Sequence, residues 1–352
     1  MSRVDLTRRR ALVGVGALLP AAPLAQAQKL AGEAPGRIPP ADELLNAAEF
    51  EAIAERKLDS FTFAEIKGSE RAAFDRITFR PRLMVDTRKM DLTSQLFGQS
   101  LFMPILVGPV SNQKRYHPEG ELEMARGASA AKAPMVVAAQ SSFPLDRIAA
   151  EAKTPLWFQV SLDGEANDLR DRVERAVGAG CKVICVTVGD RTPAASAAAP
   201  RTGVDWSALD RLRKGMTVPV VLKGIMSPEG ARAAVSRGAQ GIVVSNYAAP
   251  AIAGIASPIE VLPSVVDAVA GKVPVLMDGS VRLGSDVMKA LAFGAQAVLL
   301  ARPAVWGLAA YGAQGVQNVI ELIQSEFARD MAMCGKIDLK ALDRTVVKIH
   351  RG

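Results

Sequence analysis

Eight short apolar runs, separated by stretches with helical spacing, dominate this chain from residue 103 onward. The runs are Met103–Val110, Pro134–Ala139, Leu156–Val160, Lys182–Val188, Pro219–Gly224, Gly241–Asn246, Pro274–Gly279 and Ala297–Arg302. Each is nearly continuous in Val, Ile, Leu, Ala or Met, as a strand buried on both faces must be. Segments such as Pro228–Arg237 and Gly284–Phe293 lie between them with helical periodicity. Eight β-α units in series predict a (β/α)8 TIM barrel, because an open doubly wound sheet of fewer strands leaves some runs unexplained. Residues 41–76 add helical patterns at Asp42–Leu45 and Phe50–Ala54 and predict an N-terminal helical extension. Residues 41–352 are expected to form a single barrel domain, and a chain of 352 residues that is 49% hydrophobic has the core for it.

The first 27 residues read differently. Arg8-Arg9-Arg10 precede an apolar run from Ala11 to Leu24, which reaches Ala25-Gln26-Ala27. A positive start, a short apolar stretch and an A-x-A site make a bacterial secretory signal, of the twin-arginine or the Sec type. The expected location is periplasmic or otherwise exported. The apolar run is shorter than the roughly 20 residues a membrane span needs, so stable membrane insertion is not expected. Residues 28–40, rich in Pro, Gly and Ala, read as a flexible lead-in. The signal carries +3 of the formal +7, and no Lys/Arg run with interleaved aromatics follows it, which argues against nucleic-acid binding.

Two histidines, His117 and His350, are too few for a histidine-based metal site. Cys181 and Cys185 are expected on one strand about 13 Å apart. A disulfide needs less than about 7 Å, so with Cys334 they read as core residues.

In a barrel the chemistry sits where strands end at the C-terminal face. The runs end in Pro109-Val110-Ser111, Ala139-Gln140, Gln159, Thr187, Lys223, Ser245-Asn246, Asp278-Gly279 and Arg302. Lys223 follows Pro219-Val220-Val221-Leu222, so its ammonium needs an anionic or electron-rich partner in a buried place. A flavin that becomes anionic on reduction is such a partner. Asp278-Gly279-Ser280-Val281-Arg282 and Ala301-Arg302-Pro303 end the last two runs, where barrels often hold a phosphate on backbone N–H groups and arginine. The stretch Gly189–Gly203 is a loop by composition, and on this face either a lid or a plain surface loop.

Several segments together resemble the FMN-dependent α-hydroxy-acid oxidase and dehydrogenase family, the group of glycolate oxidase, lactate oxidase and L-lactate dehydrogenase. They are Phe79-Arg80-Pro81-Arg82, Met103-Pro104-Ile105, Gln113-Lys114, His117-Pro118-Glu119-Gly120-Glu121, Val221-Leu222-Lys223-Gly224, Ser245-Asn246, the D-G-x-V-R run at 278–282 and Ala301-Arg302-Pro303. The resemblance runs from about residue 48 to 349 and implies FMN as cofactor and a small-molecule substrate. It also implies a homo-oligomer, often a tetramer. Pro109, Val110 and Ser111 match the segment along the flavin ring, and Gln159 and Thr187 match polar contacts to it. Lys223 matches the lysine near the ring's N1–O2 edge, and Ser245 a contact beside the active site. Gly279, Arg282 and Arg302 match the phosphate site.

The substrate side departs from the family. Tyr247 stands where the family has its proton-abstracting histidine, Ala248 and Ala249 replace two glycines, and Pro250 replaces the arginine that clamps the substrate carboxylate. Ser161 replaces a tyrosine, and Phe61–Ser69 is shortened and lacks the family's N-terminal tyrosine. One flavin contact departs as well, since the family's serine at the end of the second strand is Ala138 or Ala139 here. The family's loop arginine falls within Ala194–Ala199, with Arg191 and Arg201 nearby. An ordinary tyrosine side chain titrates near about 10, so only about one in a thousand is phenolate at pH 7. Such a group suits the role of acid better than that of base. Tyr247 and Lys223 are therefore the catalytic candidates. The chain reads as an FMN-binding oxidoreductase with an altered substrate site, or alternatively as a non-catalytic flavoprotein in which Tyr247 fills the vacated cavity.

Overall fold

Each apolar run contains a strand of a closed parallel barrel. The computed structural model describes residues 37–68, 71–82, 84–162, 166–189, 206–247 and 256–350. The signal at 1–27, most of the lead-in, the loop from 190 to 203 and the Ala248–Ala251 stretch with Pro250 lie outside the described residues.

The strands are β1 (Ile105–Val107), β2 (Met135–Ala138), β3 (Leu156–Ser161), β4 (Ile184–Thr187), β5 (Val220–Ile225), β6 (Gly241–Val244), β7 (Val275–Asp278) and β8 (Ala297–Leu300). They pair in sequence order, and β8 closes on β1 through Val298↔Ile105. Helices follow them in turn: α1 (Gly120–Ala130), α2 (Leu145–Glu151), α3 (Ala166–Gly178), α4 (Trp206–Arg213), α5 (Pro228–Ser236), α6 (Pro258–Val269), α7 (Gly284–Ala292) and α8 (Arg302–Met333). The last is broken by non-helical backbone at Tyr311 and Gly312.

Why the runs are continuous rather than alternating is visible in the packing. Along each strand side chains point to opposite faces. Leu106, Val136, Trp157, Cys185, Val221, Val243 and Leu276 form one buried cluster inside the barrel. Their neighbours Ile105, Val137, Phe158, Ile184, Val220, Ile242 and Met277 belong to a second cluster shared with the helices. Both faces are therefore apolar. Cys181 lies just ahead of β4 rather than on the same strand as Cys185, a correction of the expected placement; all three cysteines are buried and free. Among the described residues no group of His, Cys, Asp and Glu is arranged to hold a metal, and no helix is long and apolar enough to cross a membrane.

The predicted extension is helical, with Ala47–Lys57, Ser60–Ile66 and Ala72–Asp75. Asn46 accepts from Ala48 N and Glu49 N, and Asp59 from Phe61 N and Thr62 N, so polar caps start the first two helices. The next strand, Ile77–Phe79, pairs antiparallel with Val347–Ile349 and fastens the extension to the C-terminal segment. A hairpin of Ser94–Leu96 and Gln99–Leu101 was not legible beforehand. It turns on Phe97 (φ 50°) and Gly98 (φ 74°), both left-handed, as a tight hairpin requires. Leu96 and Leu101 join the interior cluster, and the Phe97 ring meets Trp157 edge-on at 5.5 Å.

Candidate active site

Lys223, near the end of β5, is the centre of a buried polar knot. Only 2% of it is exposed. Its ammonium pairs with Asp278 Oδ2 at 2.7 Å from the end of β7 and donates to Ser245 Oγ at 3.0 Å after β6. Apolar strand interiors fix these three backbones, and neighbouring strands bring their ends together. The ion pair answers the cost of burying a charge on Lys223. Asp278 is only half satisfied, because its Oδ1 is buried and has no hydrogen-bond partner. A buried carboxylate oxygen without a donor is rare and calls for a group from outside the chain.

Tyr247 sits directly over this knot. Its ring centroid is 4.8 Å from Lys223 Nζ, a cation–π contact, and its backbone N–H donates to Ser245 Oγ at 3.3 Å. Yet 45% of the residue is exposed.

On the adjoining strands, Gln159 of β3 donates to Thr187 Oγ1 of β4 at 2.9 Å, and the same amide lies 3.5 Å from Ser161 Oγ. Thr187 stands level with Ser161 on one side and Lys223 on the other, so the polar strand ends form one continuous rim. Pro109, Val110 and Ser111 follow β1 half-buried. Val110 is held through its carbonyl, which accepts from Gln113 Nε2 at 3.1 Å. Ala138 ends β2 and Ala139 follows it, and one of the two stands in place of the family's serine.

The last two strands build a cationic corner. Gly279 has φ +99°, and a Cβ there would lie 2.9 Å from Pro258 Cγ, so both conformation and space require glycine. Arg282 is half-buried and lies over the Trp306 ring at 5.7 Å. Arg302, the first residue of α8, donates to Lys67 O at 3.3 Å. Burial first of all pushes the Arg282 guanidinium below its ordinary value; Glu51 opposes this, and the Arg302 and Arg71 cations add to it. Arg282 and Arg302 at the ends of the last two strands, beside a left-handed glycine and the N-terminus of α8, have the chemistry to suit an anion.

A family model described as FMN-dependent dehydrogenase matches residues 41–197 and 189–349. The chain belongs to this family. Its curated relatives include glycolate oxidase from Spinacia oleracea, 34% identical over 86% of this chain and 95% of that one. L-lactate oxidase from Nostoc sp. is 34% identical over 87% of this chain and 98% of its own length. Among solved structures, mandelate oxidase with (S)-2-phenylpropionate superposes with a TM-score of 0.81 at 34% identity, covering 88% of this chain and all of that one.

The family's cofactor is FMN, and the residues present fit it. The buried Lys223 ammonium, the unpartnered Asp278 Oδ1, the glycine cradle at 279 and the arginine corner each ask for a polar or anionic part of such a molecule. Two residues of the site were missed in reading the chain. Asp286, fully buried, accepts from Arg282 N at 2.9 Å and Leu283 N at 3.0 Å and so shapes the turn after β7. Its position at the start of α7, after the Leu283-Gly284 entry, is a helix-start signal. Arg71, which pairs with Asp286 at 2.6 Å, has no local signal, because its partner lies more than two hundred residues away.

Proposed function

We propose that the chain is an exported FMN-dependent oxidoreductase whose substrate differs from the small 2-hydroxy acids of its relatives. The observation that carries this reading is the complete Lys223–Asp278–Ser245 knot under a tyrosine that stands in the histidine's place. A chain drifting out of use has no reason to keep a buried lysine, its carboxylate and a convergent arginine corner while most of its changes fall on the groups that face the substrate.

Bound FMN supplies hydride and electron-pair transfer chemistry. Lys223 holds positive charge at the ring end of its site, Gln159 and Thr187 offer polar contacts along the adjoining strand ends, and Arg282 and Arg302 take the phosphate. Pro109–Ser111, Ser245, Asp278, Gly279 and Ala301 complete the lining. Tyr247 delivers a proton to substrate from its phenolic hydroxyl, its ring held over the Lys223 ammonium. Without an imidazole to take a proton, and with proline at 250 in place of an arginine to clamp a carboxylate, oxidation of glycolate or L-lactate loses general-base assistance worth about 10²–10⁴-fold. Residues 1–27 serve as the export signal in this reading, and assembly is homo-oligomeric.

The test is the visible spectrum of the purified protein under anaerobic conditions, before and after L-lactate, glycolate and (S)-mandelate. The expected result is a flavin spectrum that stays oxidised with all three. Rapid bleaching by any of them overturns the altered-substrate reading. A protein that neither carries nor takes up FMN points instead to a binding module.

A further inference from the structure

The arginine corner is not closed by barrel residues alone. The end of the extension's second helix and the start of its third lie against it. Arg302 donates to the carbonyl of Lys67. Gly68 lies flat on the Arg282 guanidinium, so that a Cβ at this position would come within 2.6 Å of it. The segment is itself anchored: Trp306 Nε1 donates to Ile66 O at 2.9 Å, and Gly68 N donates to Glu51 Oε1 at 2.6 Å. Three residues on, Arg71 forks onto Asp286 at 2.6 and 2.8 Å and donates to Ser280 O at 3.2 Å. Asp286 in turn holds the backbone N–H groups of Arg282 and Leu283.

We infer that Lys67, Gly68 and Arg71 of the N-terminal extension are positioning residues for the cofactor's phosphate, bracing Arg282, Arg302 and the turn after β7 from outside the barrel. This rests on the reading of Arg282 and Arg302 as the phosphate site. Physically, Arg282 is forced to a crowded position beside two other cations, and it stays there because Gly68 leaves room and Trp306 supports it. The Ser280–Leu283 turn keeps its N–H groups oriented because Asp286 accepts them. Asp286 is held against the turn by the fork of Arg71: burial works against the Arg71 charge, but the hydrogen bonds and charge of Asp286 hold the guanidinium above its ordinary value. The extension therefore acts on flavin only through the phosphate corner, and a flavin without a phosphate gains nothing from it.

FMN and riboflavin differ only in that phosphate, so their binding separates the brace from general stability. The full chain is stripped of flavin and titrated with each, following quenching of flavin fluorescence. The unaltered protein is expected to prefer FMN strongly. Gly68→Ala, whose methyl displaces the Arg282 guanidinium at an ordinary backbone angle, is expected to weaken FMN about tenfold or more and leave riboflavin within about twofold. Arg71→Met is expected to weaken FMN by about 10–100-fold with the same indifference to riboflavin. Equal loss of both flavins, or no loss of FMN in Gly68→Ala, overturns the brace. Should Arg71→Met fail to fold, Gly68→Ala decides alone. Lack of FMN preference in the unaltered protein overturns the phosphate site itself, a different failure from that of the brace.

Discussion

The two sides of the barrel mouth are held by different means. The cofactor side is built from side chains at the ends of buried strands. Lys223, Ser245 and Asp278 bond one another, and Arg282 is seated by Gly68 and Trp306. The side proposed for substrate begins at Tyr247, 45% exposed and past the end of β6. A change at a strand end breaks a buried pair and costs stability. A change past the strand end costs little, so chemistry can be altered there while the fold and cofactor site persist. This is the general division of labour in barrels, where strands fix and loops vary.

Lys223→Met tests the fixed side and has the largest expected effect. It leaves the Asp278 carboxylate buried without its cation, a kind of loss that costs about 3–5 kcal/mol. A urea titration should show the lower midpoint, and the absorbance of co-purified flavin should fall. Adding Asp278→Leu removes the stranded charge and should recover much of the stability but not the flavin, since an apolar pair can replace a buried ion pair in packing only. If Lys223→Met keeps both stability and flavin, the two sides of the mouth are held alike.

The complementary change tests the variable side. Tyr247→His together with Pro250→Arg returns the two groups that the relatives' sequence pattern places there. Anaerobic stopped-flow reduction by L-lactate is expected to rise by about a hundredfold, the lower end of what a positioned base supplies, with bound flavin unchanged. Stability should stay within about 0.5 kcal/mol, since Tyr247 gives up mainly a partly exposed cation–π contact. A double variant that binds flavin yet gains no reduction would shift weight to Ser161 at the end of β3.

The same contrast explains what could be read from the chain. Strand ends were legible because a polar residue closing an apolar run has few places to go: Lys223, Gln159, Thr187 and Asp278 all stand where their runs predicted. Tyr247 was legible only by comparison with the family pattern, since a tyrosine after Ser-Asn has no signature of its own. Arg71 was illegible, because its role depends on Asp286 and Ser280, more than two hundred residues distant, and nothing local distinguishes it from a surface arginine. The bottom hairpin escaped because Phe97-Gly98 is not among the usual turn pairs, and the left-handed Phe97 is stabilised by packing on Trp157 rather than by local preference.

Beneath the mouth lies a third layer, and Cys185 shows whether it belongs to the cofactor side. The thiol is fully buried inside the barrel. Burial pushes it up to about 12, with Lys223 opposing that rise and Asp278 adding to it. The fold therefore holds the thiol proton more tightly than the unfolded chain does. Its contribution to stability is complete below the unfolded value of about 8.5 and is lost as pH climbs from there toward 12. Cys185→Val, close in volume and without a proton to lose, should make the alkaline fall of the urea midpoint shallower above pH ~8.5 while leaving it nearly unchanged at pH 7. Flavin affinity should stay within about twofold, because the interior layer supports the strand ends by packing alone. A marked loss of flavin in this variant would instead extend the cofactor side downward into the barrel, with Lys223 relying on the sulfur below it as well as on Asp278 and Ser245.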